Sequence, residues 1–238
     1  MFDYKDIGST YYQWGRKYPI VALMNREHTG VNDFRRLESS DPKYQYKVQP
    51  GLASMADAIK NPNIYYVQPN NDDLRWLTDG SFSYKFWNMK SSGNNSDITE
   101  YEKTVYDPSP KGFVVPIPRA FSVFVNGSTA GGNYGGSING KIDPELSYRY
   151  LVRTKRGQQG AELPFTATGQ RSSRDNLGTG AGTLWALDGV YYWSSESKYN
   201  GSNGDNEKGK AFTFVVRKDN ETNVYSMLSW AYRQWRAP

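Results

Sequence analysis

Three short phrases constrain this chain more than any other feature. Residues 11–17 read Tyr-Tyr-Gln-Trp-Gly-Arg-Lys, residues 106–116 read Tyr-Asp-Pro-Ser-Pro-Lys-Gly-Phe-Val-Val-Pro, and residues 191–195 read Tyr-Tyr-Trp-Ser-Ser. Each sets rings beside Gly, Pro or small hydroxyl residues, the mixture that tight turns and short strands require. None is a catalytic motif. Their wide separation implies an aromatic core assembled from distant segments, with the long connections left for another task. The functional question moves from chemistry towards binding.

The core must hold without staples. Cys is absent, so no disulfide, thiolate metal site or nucleophilic cysteine is available. A chain of 238 residues is long enough to bury a core by itself. With 19 Tyr and 7 Trp, rings carry that core. Such rings sit half-buried while an OH or NH reaches a polar partner. The 23 Gly and 12 Pro add frequent turns.

Lys and Arg number 29 against 24 acids, a net charge of +5 with no long block of one sign. That balance reads as a mixed surface. Acidic polysaccharide, nucleic acid or anionic lipid would each suit the small excess, although no nucleic-acid partner is expected. No run approaches the roughly 20 apolar residues of a membrane-spanning helix. The N-terminus lacks a basic segment followed by an apolar one, so either the protein is cytosolic or the chain is an excised piece or mature form of a longer exported one, with its signal or anchor segment outside this chain.

Along the chain, the opening to Arg26 reads as extended. Residues 27–48 read as a long polar loop. Leu52, Met55, Ala56 and Ile59 have helical spacing, and Asn61-Pro62 ends that helix. Tyr65 to Val67 reads as a short strand, and residues 68–73 and 91–97 as polar loops. Residues 106–116 form a rigid, non-helical connector. A second short helix follows over 119–125, opened by Pro118 and closed by Gly127. Residues 131–140 read as a mobile Gly-rich loop. Strands are expected at 163–169, 190–194, 211–216 and 223–230, with a turn at Lys218 to Glu221. The expected class is α+β, one domain over 1–238, with two short helices and an antiparallel sheet built mostly from the second half.

The three phrases resemble those of the Fibrobacter-type major paralogous (FISUMP) domain, in the version found at the C-terminus of Bacteroidales fimbrial and cell-surface lipoproteins. Relatives carry a Tyr-Tyr-Gln-Trp-Gly-Arg-Lys-Asp-Pro stretch, matched by Tyr12, Trp14, Gly15 and Arg16 within residues 11–17, with Tyr18-Pro19 in place of Asp-Pro. They carry a Tyr-Asp-Pro-Cys/Ser-Pro-x-Gly stretch ending in Val-Pro, matched by Tyr106, Asp107, Pro108, Gly112 and Pro116. They carry Tyr-Trp-Ser-Ser, matched by Trp193 and Ser194. The C-terminal Trp235-Arg236-Ala237-Pro238 is a degenerate version of their ending. The resemblance implies a C-type lectin-like fold, with two short helices packed on a twisted antiparallel sheet and long loops. It also implies a cell-surface or fimbrial location. The usual first strand is missing or altered, which suggests a domain excised from a longer exported protein. Where some relatives pair cysteines, this chain has Ser109 and Ala237.

Several candidate sites remain. His28 is the lone histidine, too little for a His-based metal site or a triad. Asp143, Glu145, Glu162 and Asp188 are the acids from which a glycosidase pair would be drawn. Formylglycine-generating chemistry, which the broader lectin-like fold also hosts, needs a cysteine and is excluded. Gln68, Asn70 and Asp72 resemble the Ca²⁺ loop of lectins, but Trp87-Asn88-Met89 lacks the downstream Asp that such sites use. No cofactor is expected, and a polar turn explains that patch as well.

The segments richest in contact residues are Tyr199, Asn200, Asn203 and Asp205, with Trp230, Tyr232, Arg233 and Trp235. Rigid rings among small hydrogen-bonding residues are the composition of binding loops. Arg16 is expected to stack on a ring or fork onto carbonyls or a carboxylate. The expected function is non-enzymatic adhesion, with a glycan or a host or bacterial surface protein as ligand and other pilus or lipoprotein domains as neighbours. The alternatives are a variable receptor-binding display protein, a glycan-active hydrolase and a structural stalk module.

Overall fold

The computed structural model describes residues 9–22, 47–67, 77, 84–93, 98–124, 134–144, 149–154, 162–166, 170–171, 184–185, 189–197, 211–219 and 223–231. In chain order the strands are β1 Ser9–Tyr11, β2 Ile20–Ala22, β3 Lys47–Pro50, β4 Ile64–Val67, β5 Tyr134–Ile142 and β6 Arg149–Arg153. They continue with β7 Glu162–Thr166, β8 Gln170–Arg171, β9 Leu184–Trp185, β10 Val190–Ser197, β11 Ala211–Asp219 and β12 Asn223–Ala231. The helices are α1 Met55–Lys60 and α2 Pro118–Phe121, the latter continued by a 3₁₀ turn at Ser122–Phe124. The architecture is mixed α+β, dominated by antiparallel pairing.

The main sheet has six antiparallel strands in the order β10-β11-β12-β5-β6-β7. All of them lie after residue 133. Side chains alternate faces along a strand, and β10 and β11 are apolar at both parities. Val190, Tyr192, Phe212, Phe214 and Val216 join one cluster with Phe121, Tyr150, Val152 and Phe165. Tyr191, Trp193, Ala211 and Val215 join another with Trp87, Val115 and Trp14. Strands β10 and β11 are therefore covered on both sides. Each large side chain buried there stabilises the fold by about 2 kcal/mol relative to exposure.

Helix α2 covers the first face. Pro118 occupies its first turn, where the missing N–H costs nothing. Phe121 stacks on Phe214 with ring centres 4.9 Å apart. Helix α1 opens with a capping box, in which Asp57 N donates to Ser54 Oγ and Ser54 N donates to Asp57 Oδ2. Asn61 closes it.

The structure corrects the expected reading in four places. The Gly-rich segment 131–140 is not a loop where it is described: Tyr134–Ile142 is β5, paired between β12 and β6. Partners on both edges override the poor strand propensity of glycine, and the register shift between Val224 and Tyr225 falls between Ser137 and Gly140. Strand β6, hidden behind its arginines, alternates buried Tyr150 and Val152 with half-buried neighbours. The buried stripe of α1 is Met55 and Ala58, while Leu52, Ala56 and Ile59 face outward. Finally, α1 packs with Tyr66, Leu77 and Phe86 in a third cluster, beside the short parallel pair β3–β4. Only α2 is seated on the main sheet. Tyr106 belongs to both the second and third clusters and joins them.

Candidate functional site

The three aromatic phrases meet on the second face of β10. Trp14 Nε1 donates to Ser194 O at 3.1 Å, and Trp193 Nε1 donates to Tyr12 O at 3.1 Å. Each indole thus ties down the other's strand. Trp87 Nε1 donates to Arg16 O at 3.3 Å, and its ring lies 5.3 Å from that of Trp14. Gly15, at φ +91°, makes the turn between Trp14 and Arg16 that an L side chain rarely adopts. The connector joins the same knot, because Ser195 N donates to Pro116 O at 2.8 Å.

Arg16 is buried and spends its guanidinium on carbonyls. Nη1 donates to Gln13 Oε1 at 2.9 Å and Ile64 O at 2.6 Å, and Nη2 to Ala58 O at 3.2 Å and Pro62 O at 3.1 Å. A longer contact reaches Asn61 O at 3.4 Å. The cation sits at the C-terminal end of α1, where the helix dipole favours positive charge. It also lies 6.0 Å from the Tyr66 ring centre. Burial lowers its pKa to about 10.

Asp107 is the corresponding anchor of the connector. Its Oδ1 accepts from Ser109 N at 2.7 Å across Pro108, an Asx turn, and its Oδ2 accepts from Val115 N at 3.0 Å. The Tyr101 hydroxyl donates to the same Oδ2, and that oxygen is buried with the rest of the side chain. Burial, and then this hydrogen bond, push the Tyr101 pKa up.

Of the ligand-contact candidates, Trp230 falls among the described residues, near the end of β12. Ser197 closes β10 and pairs with Ala211, which opens β11; Ala211 also pairs with Ala231, which closes β12. Trp230 lies in β12 opposite Phe212. Tyr199 stands two residues beyond Ser197, and Tyr232 follows Ala231 directly. At about 4.8 Å between strands, Ser197 and Ala231 are about 10 Å apart. The described ends of β10 and β12, Ser197 and Ala231, therefore lie at the same end of the sheet, and residues 199–205 and 232–235 follow them in sequence. Tyr199, Asn200, Asn203, Asp205, Tyr232, Arg233 and Trp235 themselves lie outside the described residues, as do Gln68, Asn70, Asp72 and His28. Among the described residues no group of three or more acidic, His or Cys side chains is placed to hold a metal ion.

One residue at this end escaped the sequence reading. Glu196 is fully buried in β10, where the pairing register shifts between Trp193 and Ser197, and its Oε1 accepts from Gly93 N at 3.1 Å. Ser194, Ser195 and Ser197 are buried around it in the chain. The signal was an acid following Tyr-Tyr-Trp-Ser-Ser, inside a strand otherwise apolar or small. Of the acids considered for catalysis, Asp143 is buried against Arg149. Glu162 pairs with Arg153 at 2.8 Å and Lys141 at 3.0 Å. Hydrogen bonds from Lys141 and Arg153 hold the Glu162 carboxyl below the usual range. Glu145 and Asp188 lie outside the described residues.

Comparison with protein-family models, with curated proteins and with solved structures finds no match. Functional inference therefore rests on this chain's own residues. Among the described residues, no helix is long and apolar enough to cross a membrane.

Proposed function

We propose that this chain is a non-enzymatic ligand-binding domain of C-type lectin-like type. It acts in adhesion at a cell surface, at a fimbrial tip or on a surface lipoprotein. The single observation that carries the reading is the pairing of Ser197 and Ala231 with the same residue, Ala211. That register ends β10 and β12 at one end of the sheet, and the sequence after each is rich in contact residues: Tyr, Asn and Ser after β10, Tyr, Arg and Trp after β12. A rigid platform with adaptable contact residues at its end is how binding domains keep ordering costs low. The phrases shared with the FISUMP domain serve the platform, since Trp14, Arg16, Asp107 and Trp193 are held by internal hydrogen bonds. A glycan is the favoured ligand class, because Tyr and Trp faces stack on sugar rings while Asn and Ser meet hydroxyls. Glycan hydrolysis fits the described acids less well: a general acid needs a raised pKa, and Glu162 is lowered.

The test is a glycan array with and without a chelator. Binding is expected, and Tyr199→Ala or Trp235→Ala should weaken it at least about tenfold. Binding indifferent to both substitutions would remove the site from this end of the sheet.

A further inference from the structure

The connector between the knot and α2 displays an apolar tip. Val105 is 72 % exposed, Phe113 67 % and Val114 43 %. Large apolar side chains so exposed in one short stretch call for an explanation, and the backbone beneath them is firmly braced. Phe113 N donates to Pro110 O at 3.0 Å, closing a turn whose Gly112 has φ +87°. Lys103 Nζ sits among three carbonyls, donating to Ser109 O at 2.6 Å, Pro110 O at 3.1 Å and Phe113 O at 2.6 Å. Asp107 Oδ1 lies 3.5 Å from the same ammonium and braces the turn from within. The rings and methyls at this tip are presented in a fixed arrangement at little further entropic cost.

Charge identifies the partner. From residue 103 to 119 the chain carries Lys103, Asp107, Lys111 and Arg119. Asp107 is buried, while Lys111 and Arg119 are exposed; of the acids just before this stretch, Glu100 and Glu102 are exposed and Glu102 is neutralised by Lys90 at 3.5 Å. A sugar would use the ring of Phe113 but gain little from two valines, whereas hydrocarbon accommodates all three. A braced tip of Phe and Val with cations beside it is the composition that enters the headgroup boundary of a bilayer. We infer that the 105–114 loop docks peripherally on an anionic lipid surface, with Phe113 and Val114 entering the acyl boundary and Lys111 meeting headgroup phosphates. This contact is separate from the ligand site proposed above and does not depend on it.

Sedimentation with vesicles of phosphatidylcholine and phosphatidylglycerol in equal parts tests the inference. The chain should co-sediment with them at low salt, less so at high salt, and not with phosphatidylcholine alone. Phe113→Ser touches an exposed side chain, so folding should survive, while partitioning falls about tenfold. A Phe113→Trp variant should show a blue-shifted emission with the anionic vesicles, beyond any shift of the parent chain. Absence of sedimentation, sedimentation unchanged by Phe113→Ser, or an unshifted Phe113→Trp spectrum would each overturn the inference. So would a self-association in light scattering that Phe113→Ser abolishes, which would assign the tip to a second copy of the chain.

Discussion

The two faces of β10 and β11 are buried by different chemistry. On one, Phe121, Phe124, Phe165 and Phe214 pack ring on ring, with centres 4.9 to 5.7 Å apart. On the other, Trp14, Trp87 and Trp193 pack while each also donates an indole N–H to a backbone carbonyl. The phenyl face holds by area and shape. The indole face holds by area and by directed hydrogen bonds that fix which segments meet. The first can be filled by many sequences of similar volume; the second specifies its partners one by one. That difference explains why the recognisable phrases of this chain cluster on the indole side.

The largest expected effect lies where the indole side meets α1. Arg16→Met keeps the stem but removes the donors that serve Gln13, Ala58, Ile64 and Pro62. Stability to urea should fall by about 4 kcal/mol, because buried carbonyls lose their partners together. Arg16→Lys should recover less than half of that, since an ammonium cannot reproduce the planar fork. Full recovery by Lys would show that charge, rather than directed bonding, distinguishes this side.

A matched pair of substitutions compares the faces directly. Trp193→Phe removes the indole N–H from Tyr12 O and leaves a gap, and should cost about 3 kcal/mol. Phe214→Leu on the opposite face removes no hydrogen bond and should cost about 1.5 kcal/mol, as neighbouring rings close in. Urea midpoints for the two variants decide the matter. Equal losses would break the distinction between a specified face and a filled one.

The same distinction governs what the sequence reveals. Strands β10, β11 and β12 were legible because their apolar and β-branched residues are dense enough to mark them alone. The rigid connector over 106–116 was legible from its prolines and glycine, but the Asx turn at Asp107 and the turn at Gly15 were not singled out. Strand β5 was not, because what makes Gly135 and Gly136 strand residues is their pairing with Met227 and Ser226, about ninety positions away. The outward stripe of α1 misled for a related reason. Leu52, Ala56 and Ile59 satisfy helical periodicity as well as Met55 and Ala58 do, and only the position of Tyr66 and Leu77 chooses between them. At the candidate site, residue types were readable, but the shared end of β10 and β12 was not. It depends on a register in which Ser197 and Ala231 share Ala211. Glu196 was overlooked because a buried acid in a strand acquires meaning only once Gly93 is beside it.

The smallest effect, and the finest probe of the indole side, concerns Tyr101. Its single hydroxyl proton points between Asp107 Oδ2, the stronger acceptor, and Trp87 O at 2.9 Å, so it links the connector to an indole already bound to Arg16. Tyr101→Phe should cost about 1 kcal/mol at neutral pH, by removing the donor that Asp107 and Trp87 share. The alkaline behaviour carries the sharper signature. Burial, and then the bond to Asp107, hold the Tyr101 pKa above its ordinary 10.0. The folded chain therefore keeps a proton that the unfolded chain gives up at about pH 10. The stability linked to that proton is present in full below this point and is lost as pH rises beyond it. Urea midpoints followed upward from neutral pH should fall more steeply above about pH 10 in the parent than in Tyr101→Phe, so the two curves converge. Parallel curves would mean that the Tyr101 proton is no more tightly held in the fold than outside it, and the hydrogen-bonded character of this side would end at the indoles.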